Sequence, residues 1–436
     1  MEIEGGHDDF PTGASKLQWE RSIVSTNAFL HNTYNIRGFD VIGTHWKGGN
    51  TYFRLRHARR SLRCPECFCR GVKKNGTRQR TFRLPPTGGK QAFAVLDVQR
   101  IVCNGCGYDG QCAVHFAESR KSYSKGFERY VHDLLKFGNI EYVAKHLGVG
   151  WDMVKDIHKA SLKRLYDKPS LKNLKAIAID EFYAGRKTGF YTFVLDLVSG
   201  AIVHVGQGKG GDALKSFWSR LGRRKQQIQA VAMDMSKAYI AAVREHLPKA
   251  DVVFDPFHVI KLMNEKIDQL RRDLCRELQD DARSFIKGNR WLLLKGAENL
   301  SKTPNPKRDN KSEIQLLAEA LEVNQPLATA YYLKEDLRRL WDFQNMEAGA
   351  AFLDSWIDRA KASELKPFIK MAETLTRHRT GILMYFKHRI TSGPMEATNN
   401  KIRVLQRQTY GLRDTEYWEL CVKSLHRKES RLVSSG

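Results

Sequence analysis

Two short stretches of the chain read almost alike: residues 176–180 are AIAID and residues 230–234 are AVAMD. Each is a small, aliphatic run that stops at an aspartate, Asp180 in the first and Asp234 in the second. A short apolar run between polar residues is typical of a strand buried on both faces. An aspartate at the end of such a strand lies at the sheet edge where open α/β folds bind their ligands. If the two strands are neighbours, we expect the two carboxylates to converge.

Converging carboxylates indicate metal chemistry. Hard oxygen ligands suit Mg²⁺, and two such ions roughly 3.5–4 Å apart catalyse in-line phosphoryl transfer. The 436 residues carry a formal net charge of +25, from 73 Lys+Arg against 48 Asp+Glu. This excess favours nucleic acid as the partner, with an anionic membrane surface or a merely basic soluble protein as alternatives.

The chain shows no sign of a membrane segment. No apolar run approaches the roughly 18 residues that a spanning helix needs. The first ten residues are polar and acidic and contain no apolar signal region. We therefore expect no membrane partner and a cytoplasmic protein. Disulfides are rare in that compartment, so the eight cysteines need another explanation.

Two C-x-x-C pairs, Cys64 with Cys67 and Cys103 with Cys106, predict one structural Zn²⁺. A tight turn brings both sulfurs of such a pair to one side of the metal. The segment between the pairs predicts strands near 80–84 and 92–102. A redox pair or free thiols are the alternatives. Three neighbouring residues are further candidates to replace one of the four ligands: Cys69, Cys112 and His115.

A basic run surrounds the first cysteine pair. Between Arg54 and Arg83 there are eleven lysines and arginines and one acid, Glu66. A charge run is usually a solvated face, but around a zinc module it more often grips phosphates. The residues that we expect to contact DNA are Arg59, Arg60, Arg63, Lys73, Lys74 and Arg78.

A helix-turn-helix pattern follows. Residues 140–147 carry apolar side chains on one helical face, and Gly148 suits the end of that helix. A second helix is expected from Trp151 and an earlier packing helix at 127–137. Helix, short glycine-containing turn and helix match the DNA-reading motif, and an ordinary helical hairpin is the alternative. The lysines placed to reach DNA are Lys155, Lys159 and Lys163.

The order of elements after residue 175 predicts a ribonuclease-H-like core. Strands are expected at 175–180, 191–197, 201–205, 230–233 and 252–254, with helices at 212–221, from 237 and from 257. In a ribonuclease-H-like fold the first and fourth strands are adjacent and parallel. Asp180 and Asp234 would then lie side by side.

From about residue 36 to 430 the chain resembles the bacterial insertion-sequence DDE transposases of the ISL type. These carry an N-terminal zinc finger, a helix-turn-helix and a DDE domain whose third carboxylate lies far downstream on a helix. The matching carboxylate here is Glu396, within SGPMEATNNKIR at 392–403. It lies near the positive end of the helix. Four residues follow on its own helical face and suit DNA phosphates: Asn399, Asn400, Arg403 and Arg407.

The long interval between Asp234 and Glu396 implies an insertion, which the resemblance makes all-α. Residues 273–380 read as mostly helical, for example at 313–321 and 337–355, with a polar loop at 301–312. The fold class is therefore multidomain α+β. The expected divisions are an N-terminal extension (1–35), a zinc-binding β module (36–118), the helix-turn-helix (119–170), the first part of the core (171–272), the insertion (273–385), and the second part of the core with a basic tail (386–436).

Two weaker matches come from related transposases. Residues 255–258, DPFH, resemble a D-x-x-H motif, so that His258 would touch the scissile phosphate or stabilise the site; an ordinary helix-start histidine is the alternative. Arg290 and Trp291 resemble an Arg-Trp motif whose Trp stacks on an unpaired base, whereas core packing is the commoner fate of a Trp. Glu181 and Asp255 are rival metal ligands.

We expect Asp180, Asp234 and Glu396 to bind two Mg²⁺ (or Mn²⁺) as ligands, not nucleophiles. The ions would promote cleavage by water at a transposon end, and then attack of the freed 3′-hydroxyl on target DNA. The partners are double-stranded DNA, as terminal inverted repeats and target, and a further copy of the chain, because two ends are joined. A catalytically silent DNA-binding regulator and a resolvase-type nuclease of the same fold are the rival interpretations.

Overall fold

The computed structural model describes residues 26–426 apart from 187, 278, 308, 323 and 409–413. Residues 1–25 of the expected N-terminal extension and residues 427–436 of the expected basic tail lie outside the described residues. The chain divides into two compact units, Met1–Ser161 and Leu162–Gly436.

The first unit begins with a mixed sheet. Its elements are α1 (Thr26–Tyr34), β1 (Phe39–Lys47), β2 (Asn50–His57), β3 (Val72–Thr87), β4 (Lys90–Cys103) and β5 (Asp109–Gln111). The strand order is β1-β2-β4-β3, and β5 pairs with β4. The long antiparallel β3–β4 hairpin contains both strands that we expected here, and it brings Val72 opposite Cys103. The strand that follows the first cysteine pair is thereby held next to Cys103, the first cysteine of the second pair.

Helices complete the first unit: α2 (Lys125–Leu134), α3 (Ile140–Leu147) and α4 (Trp151–Tyr166). The Asn139 side chain begins α3 by accepting a hydrogen bond from the Tyr142 N–H. Gly148 ends α3 in the left-handed region at φ 62°, as the sequence predicted. Buried side chains of all three helices, including Phe127, Val143 and Ile157, form one core. The boundary between the two units falls inside α4.

A five-stranded sheet forms the centre of the second unit. Its strands are β6 (Ala176–Tyr183), β7 (Phe190–Asp196), β8 (Ile202–Gln207), β9 (Ala230–Met233) and β10 (Asp251–Phe254), in the order β10-β9-β6-β7-β8. The two echoing strands, β6 and β9, are parallel neighbours with Ala176 opposite Ala230. β10 is parallel to β9, whereas β7 and β8 are antiparallel additions. The carboxyl ends of the two aspartate-ended strands therefore meet at one edge.

Helices cover both faces of this sheet. The helices of the second unit that follow α4 are α5 (Lys215–Leu221), α6 (Lys237–His246), α7 (Pro256–Glu277), α8 (Asp280–Gly288), α9 (Arg290–Leu294), α10 (Glu313–Glu322), α11 (Gln325–Arg338), α12 (Met346–Ala362), α13 (Lys366–His388), α14 (Gly393–Gln408) and α15 (Thr415–Lys423). None of the helices in the described part of the chain is long and apolar enough to cross a membrane.

The segment expected as an insertion is helical, with one departure from prediction. A single helix at 337–355 was wrong: α11 ends at Arg338, a 3₁₀ turn follows, and α12 begins after Asn345. The Asn345 side chain accepts a hydrogen bond from the Ala348 N–H and starts a new helix there. The expected boundaries at 273 and 385 fall inside α7 and α13, so the first and last helices of this segment continue into the core.

Successive side chains along β6 and β9 point alternately into two hydrophobic cores. Ile177 and Ile179 of β6 and Met233 of β9 pack with α5, α6, α7 and the helical segment. Ala178 of β6 and Ala232 of β9 face the other way and pack with Met395 and Ile402 of α14 and Trp418 of α15. The helix that carries Glu396 therefore lies against a defined face of the sheet.

Candidate active site and cysteine cluster

The alternation of the strands sets the direction of both aspartates. Asp180 is two residues after Ala178, and Asp234 is two residues after Ala232. Side chains two apart on a strand share a face, so both carboxylates are directed toward the face that α14 covers. The Asp234 Oδ1 accepts a hydrogen bond from the Ser236 N–H at 2.9 Å, which anchors the residue in the turn before α6.

Asp180 is bound directly by α14. The Asn399 Nδ2 donates to the Asp180 Oδ2 at 2.9 Å, and the Glu181 N–H donates to the Oδ1 at 2.8 Å. Asn399 is only 8% exposed because it lies on the sheet-facing side of α14 with Met395 and Ile402. Its amide therefore holds a carboxylate rather than the DNA phosphate that we expected. Its position three residues after Glu396 is the sequence signal that fits this role.

The electrostatics of Asp180 suit a bound cation. Burial raises the pKa of Asp180, and the nearby Asp234 carboxylate raises it further. The Glu181 N–H, His258 and the Asn399 amide act in the opposite direction. Asp234 and His258 are thus both close enough to Asp180 to influence its pKa. A divalent ion would relieve both the burial cost and the repulsion between the carboxylates, so the donor set fits such an ion.

Glu396 occupies the first turn of α14 and is exposed. Among the residues that the structure describes, the carboxylate oxygens of Glu396, Asp180 and Asp234 do not all converge within 4.8 Å; the one set of potential ligands that does is made of cysteines. Three carboxylates without a cation repel one another. Glu396 lies one helical turn before Asn399, so its long side chain extends from the same helix that already holds Asp180.

The rival ligands have other partners. Both oxygens of Asp255 accept backbone hydrogen bonds, Oδ1 from Phe257 at 2.6 Å and Oδ2 from Ser392. Glu181 alternates to the opposite face of β6, where it lies beside Tyr239: burial raises the pKa of this tyrosine and Glu181 raises it further. Asp255 therefore has both carboxylate oxygens occupied by backbone N–H groups. Glu181 lies on the face of β6 opposite to Asp180.

The four predicted cysteines converge. The Sγ atoms of Cys64, Cys67, Cys103 and Cys106 all lie within 4.8 Å of one another, which fits a tetrahedral structural Zn²⁺. The Cys106 N–H, and after it the Cys69 thiol, lower the pKa of Cys103 to about 6. The Cys69 Sγ lies 3.2 Å from that of Cys103 but outside the group of four.

The other two alternative ligands remain apart from this group. Cys112 is buried, and burial raises the pKa of its thiol. His115 is exposed. The basic residues expected to contact DNA are exposed around the cluster: Arg59, Arg60, Arg63, Lys73, Lys74 and Arg78. Arg83, from the same run, is instead buried and donates to the Leu147 carbonyl at 2.8 Å.

Three further residues that we expected to contact DNA have partners within the protein. The Lys163 ammonium lies 2.7 Å from the Glu416 carboxylate at the start of α15. The Arg290 Nε donates to the Asp268 Oδ1 at 2.8 Å, and its guanidinium lies 4.8 Å from the centre of the Trp291 ring. Lys155 lies over the Trp151 ring at 5.4 Å.

Trp291 is not a core residue. It is 63% exposed and, with Phe257 at 52%, lines a groove of about 500 Å³ beside α7. Asp268 and Arg290 line the same groove. Phe257 precedes His258 directly, so the groove reaches the start of α7, next to the candidate site. The sequence did not single out Phe257, because an aromatic residue at a helix start usually packs inward.

Two features together define a class of DNA-processing enzymes. One is the acidic edge of a mixed sheet, crossed by a helix that returns after a long helical segment. The other is a four-thiolate module. Residues 177–422 match the DDE transposase family ISL3, described as "Transposase", and residues 60–106 match the zinc finger of the transposases IS204/IS1001/IS1096/IS1165. The first match spans more than half of the chain. The chain therefore belongs to the ISL3 family of DDE transposases.

Curated relatives agree with this family. The chain is 29% identical over 395 residues to the transposase for insertion sequence element IS1001 of Bordetella parapertussis, covering 89% of this chain and 95% of the relative. It is 28% identical over 389 residues to the transposase for IS1557 of Mycobacterium tuberculosis, covering 83% and 84%. A solved structure, the Drosophila P element transposase strand transfer complex, is 11% identical at a TM-score of 0.35, covering 68% of this chain and 90% of that one. The family match and the two curated relatives show that the protein is a DNA transposase.

Proposed function

We propose that Asp180, Asp234 and Glu396 form the metal-binding site of this transposase, in a ribonuclease-H-like core, and that the enzyme cuts the ends of its own insertion sequence and joins them to target DNA. The observation that carries the proposal is the hydrogen bond from Asn399 to Asp180. It ties the helix of the third carboxylate to the first. The adjacency of β6 and β9 supplies the second.

Two Mg²⁺ or Mn²⁺ ions held there would activate the attacking oxygen and stabilise the leaving oxygen. The protein residues orient these groups. Asn399 fixes the rotamer of Asp180, and the Ser236 N–H fixes that of Asp234. His258, half-buried in the first turn of α7, is close enough to Asp180 to influence its pKa, which supports a contact with the scissile phosphate.

We assign recognition of the terminal repeats to the first unit. The exposed cations around the cysteine cluster suit phosphates. The α3–turn–α4 arrangement suits a helix-turn-helix with α4 in the major groove, where Lys155 and Lys159 would be directed toward DNA. The exposed residues Asn400, Arg403 and Arg407 on α14 are proposed phosphate contacts beside the site.

Trp291 is the proposed stacking platform for an unpaired base. Its exposure and the groove beside it support that role, and the pairing of Arg290 with Asp268 holds the tryptophan in place. Joining two ends requires two recognition units, so a homodimer or larger assembly is proposed. The DNA substrate implies action at the bacterial nucleoid in the cytoplasm.

The experiment uses duplex DNA copied from the inverted repeats that flank the gene, with Mg²⁺ or with EDTA. The wild type should nick this DNA only with the metal. Asp180→Ala, Asp234→Ala and Glu396→Gln should each abolish nicking while gel-shift binding remains. Asp358→Asn, at an exposed aspartate on α12, is the matched control and should cut normally. Cutting by Asp180→Ala would overturn the assignment.

A further inference from the structure

The β6–β7 hairpin extends beyond the carboxyl edge of the sheet. Asp180 pairs with Phe193, and the last pair of the hairpin, Tyr183 with Phe190, lies three residues further out. At the rise of a strand this is about 10 Å past the carboxylate. The glycine-rich turn after β8 emerges at the same edge, where the Gly208 N–H donates to the Phe190 carbonyl at 2.7 Å.

This edge carries an exposed aromatic pair with cations. Tyr183 is 55% exposed and Phe190 36%, with ring centres 5.0 Å apart. The Lys209 ammonium lies 5.1 Å from the centre of the Phe190 ring. Arg186 is exposed in the hairpin turn. We call Tyr183, Arg186, Phe190 and Lys209 the hairpin rim.

The loop that presents Lys209 is fixed from beneath. The Thr192 Oγ1 donates to the Gly208 carbonyl at 3.0 Å and lies 2.7 Å from the Tyr239 hydroxyl. The same hydroxyl accepts from the Gly210 N–H at 3.2 Å. Gly208 and Gly210 have φ values of 94° and 91°, which other residues rarely adopt. The loop that carries Lys209 is therefore held in place before a ligand arrives, which lowers the entropic cost of binding.

We propose that the hairpin rim is a DNA-binding surface for the strand next to the phosphate being cut. The inference rests on the proposed function of the adjacent carboxylates. Aromatic rings stack on bases, and Lys209 and Arg186 neutralise phosphates. A DNA strand that is bound at Asp180 and continues across the edge of the sheet meets the hairpin rim on the face opposite α14. A second copy of this chain, at a net charge of +25, is a poorer match for a cationic rim.

Photocrosslinking tests the contact without relying on catalysis. Tyr183 is replaced by p-benzoylphenylalanine in the full chain. The variant is mixed in EDTA with radiolabelled inverted-repeat duplex that carries flanking DNA, and the mixture is irradiated. Val198, 74% exposed in the turn at the other end of β7, receives the same replacement as the matched control. We expect crosslinks from position 183 to nucleotides beside the cleavage site and none from position 198. Equal crosslinking from both positions, or none from 183, would overturn the inference.

Binding measurements provide the second test. Tyr183→Ala should weaken binding of the same DNA roughly ten-fold, as for loss of a base-stacking residue. Lys209→Ala should reduce the slope of log affinity against log salt by about one. Lys249→Ala, at an exposed lysine before β10 and so at the opposite edge, should leave that slope unchanged. Cleavage by the wild type with Mg²⁺ is measured in parallel. Failure of the wild type to cleave counts against the proposed function. Normal cleavage by the wild type, together with unchanged DNA binding by Tyr183→Ala and Lys209→Ala, counts against the hairpin rim.

Discussion

Asp255 accepts a hydrogen bond from the backbone N–H of Ser392, 137 positions further along the chain. The other oxygen of this carboxylate accepts from the Phe257 N–H and starts α7. One buried aspartate, 2% exposed, thus joins the beginning of the long helical segment to the residue that precedes α14. This contact ties the start of α14, the helix that carries Glu396, to the start of α7.

We expect Asp255→Ala to destabilise the second unit by about 1–3 kcal/mol, because it leaves buried N–H groups without acceptors. Cleavage at saturating DNA, measured well below the melting temperature, should also fall, because α14 loses its anchor. Asp251→Ala is the matched control at the other end of β10. Asp251 pairs with Lys387 and His388 near the surface, so its loss should cost under about 1 kcal/mol and spare cleavage. Equal cleavage by the two variants would contradict the anchoring role.

Asn399→Ala should raise the Mg²⁺ concentration needed for half-maximal cleavage. Without its amide, Asp180 keeps one fewer donor to fix its orientation. Asn399→Asp should be more severe, since a second carboxylate would face the first. The measurement is the cleavage rate against metal concentration. Asn400→Ala removes an exposed neighbour that pairs with Arg403, and it should leave the metal requirement unchanged. An unchanged requirement in Asn399→Ala would argue against a metal site at Asp180.

Cys64→Ser and Cys103→Ser should each lose the single zinc and the fold of the module, because zinc binding supplies folding free energy in small metal sites. Metal analysis of the purified chain and far-ultraviolet circular dichroism measure both effects. Cys69→Ser is the control and should retain one zinc per chain. Its sulfur lies near that of Cys103 but outside the converging group. Loss of zinc in Cys69→Ser would make Cys69 a ligand.

Trp291→Ala should weaken whichever step unpairs a base, by about 1–3 kcal/mol. A 2-aminopurine at the end of the inverted repeat reports unstacking by its fluorescence. Tyr332→Ala is the matched control, because Tyr332 is 64% exposed on α11 and lies outside the groove of Trp291. Asp268→Asn should reproduce part of the defect by releasing Arg290. A normal fluorescence change in Trp291→Ala would remove the stacking role.

Local patterns of the sequence predicted the features that depend on neighbouring residues. The apolar runs before Asp180 and Asp234 gave the positions of their strands, and Gly148 marked the end of α3. The paired cysteines predicted their own cluster through spacing alone.

Contacts between distant segments were not predictable in this way. Asn399 was assigned to DNA because a helical face alone does not reveal that the sheet covers it. The ion pair of Lys163 with Glu416, 253 positions away, was unpredictable for the same reason, and its contact with DNA stays a prediction. The predicted helix at 337–355 ran through Asn345, whose side chain instead caps the start of α12.

The separation of Asp180 and Asn399 by 219 positions also sets an order of events during synthesis. At a ribosomal rate of about 5–20 residues per second, roughly 10–40 s pass between the two residues. The cysteine module, complete by Cys106, has emerged long before. A nascent chain that has not yet reached α14 therefore holds the module to which we assign DNA recognition but lacks the proposed metal site, so we expect cleavage to wait for α14.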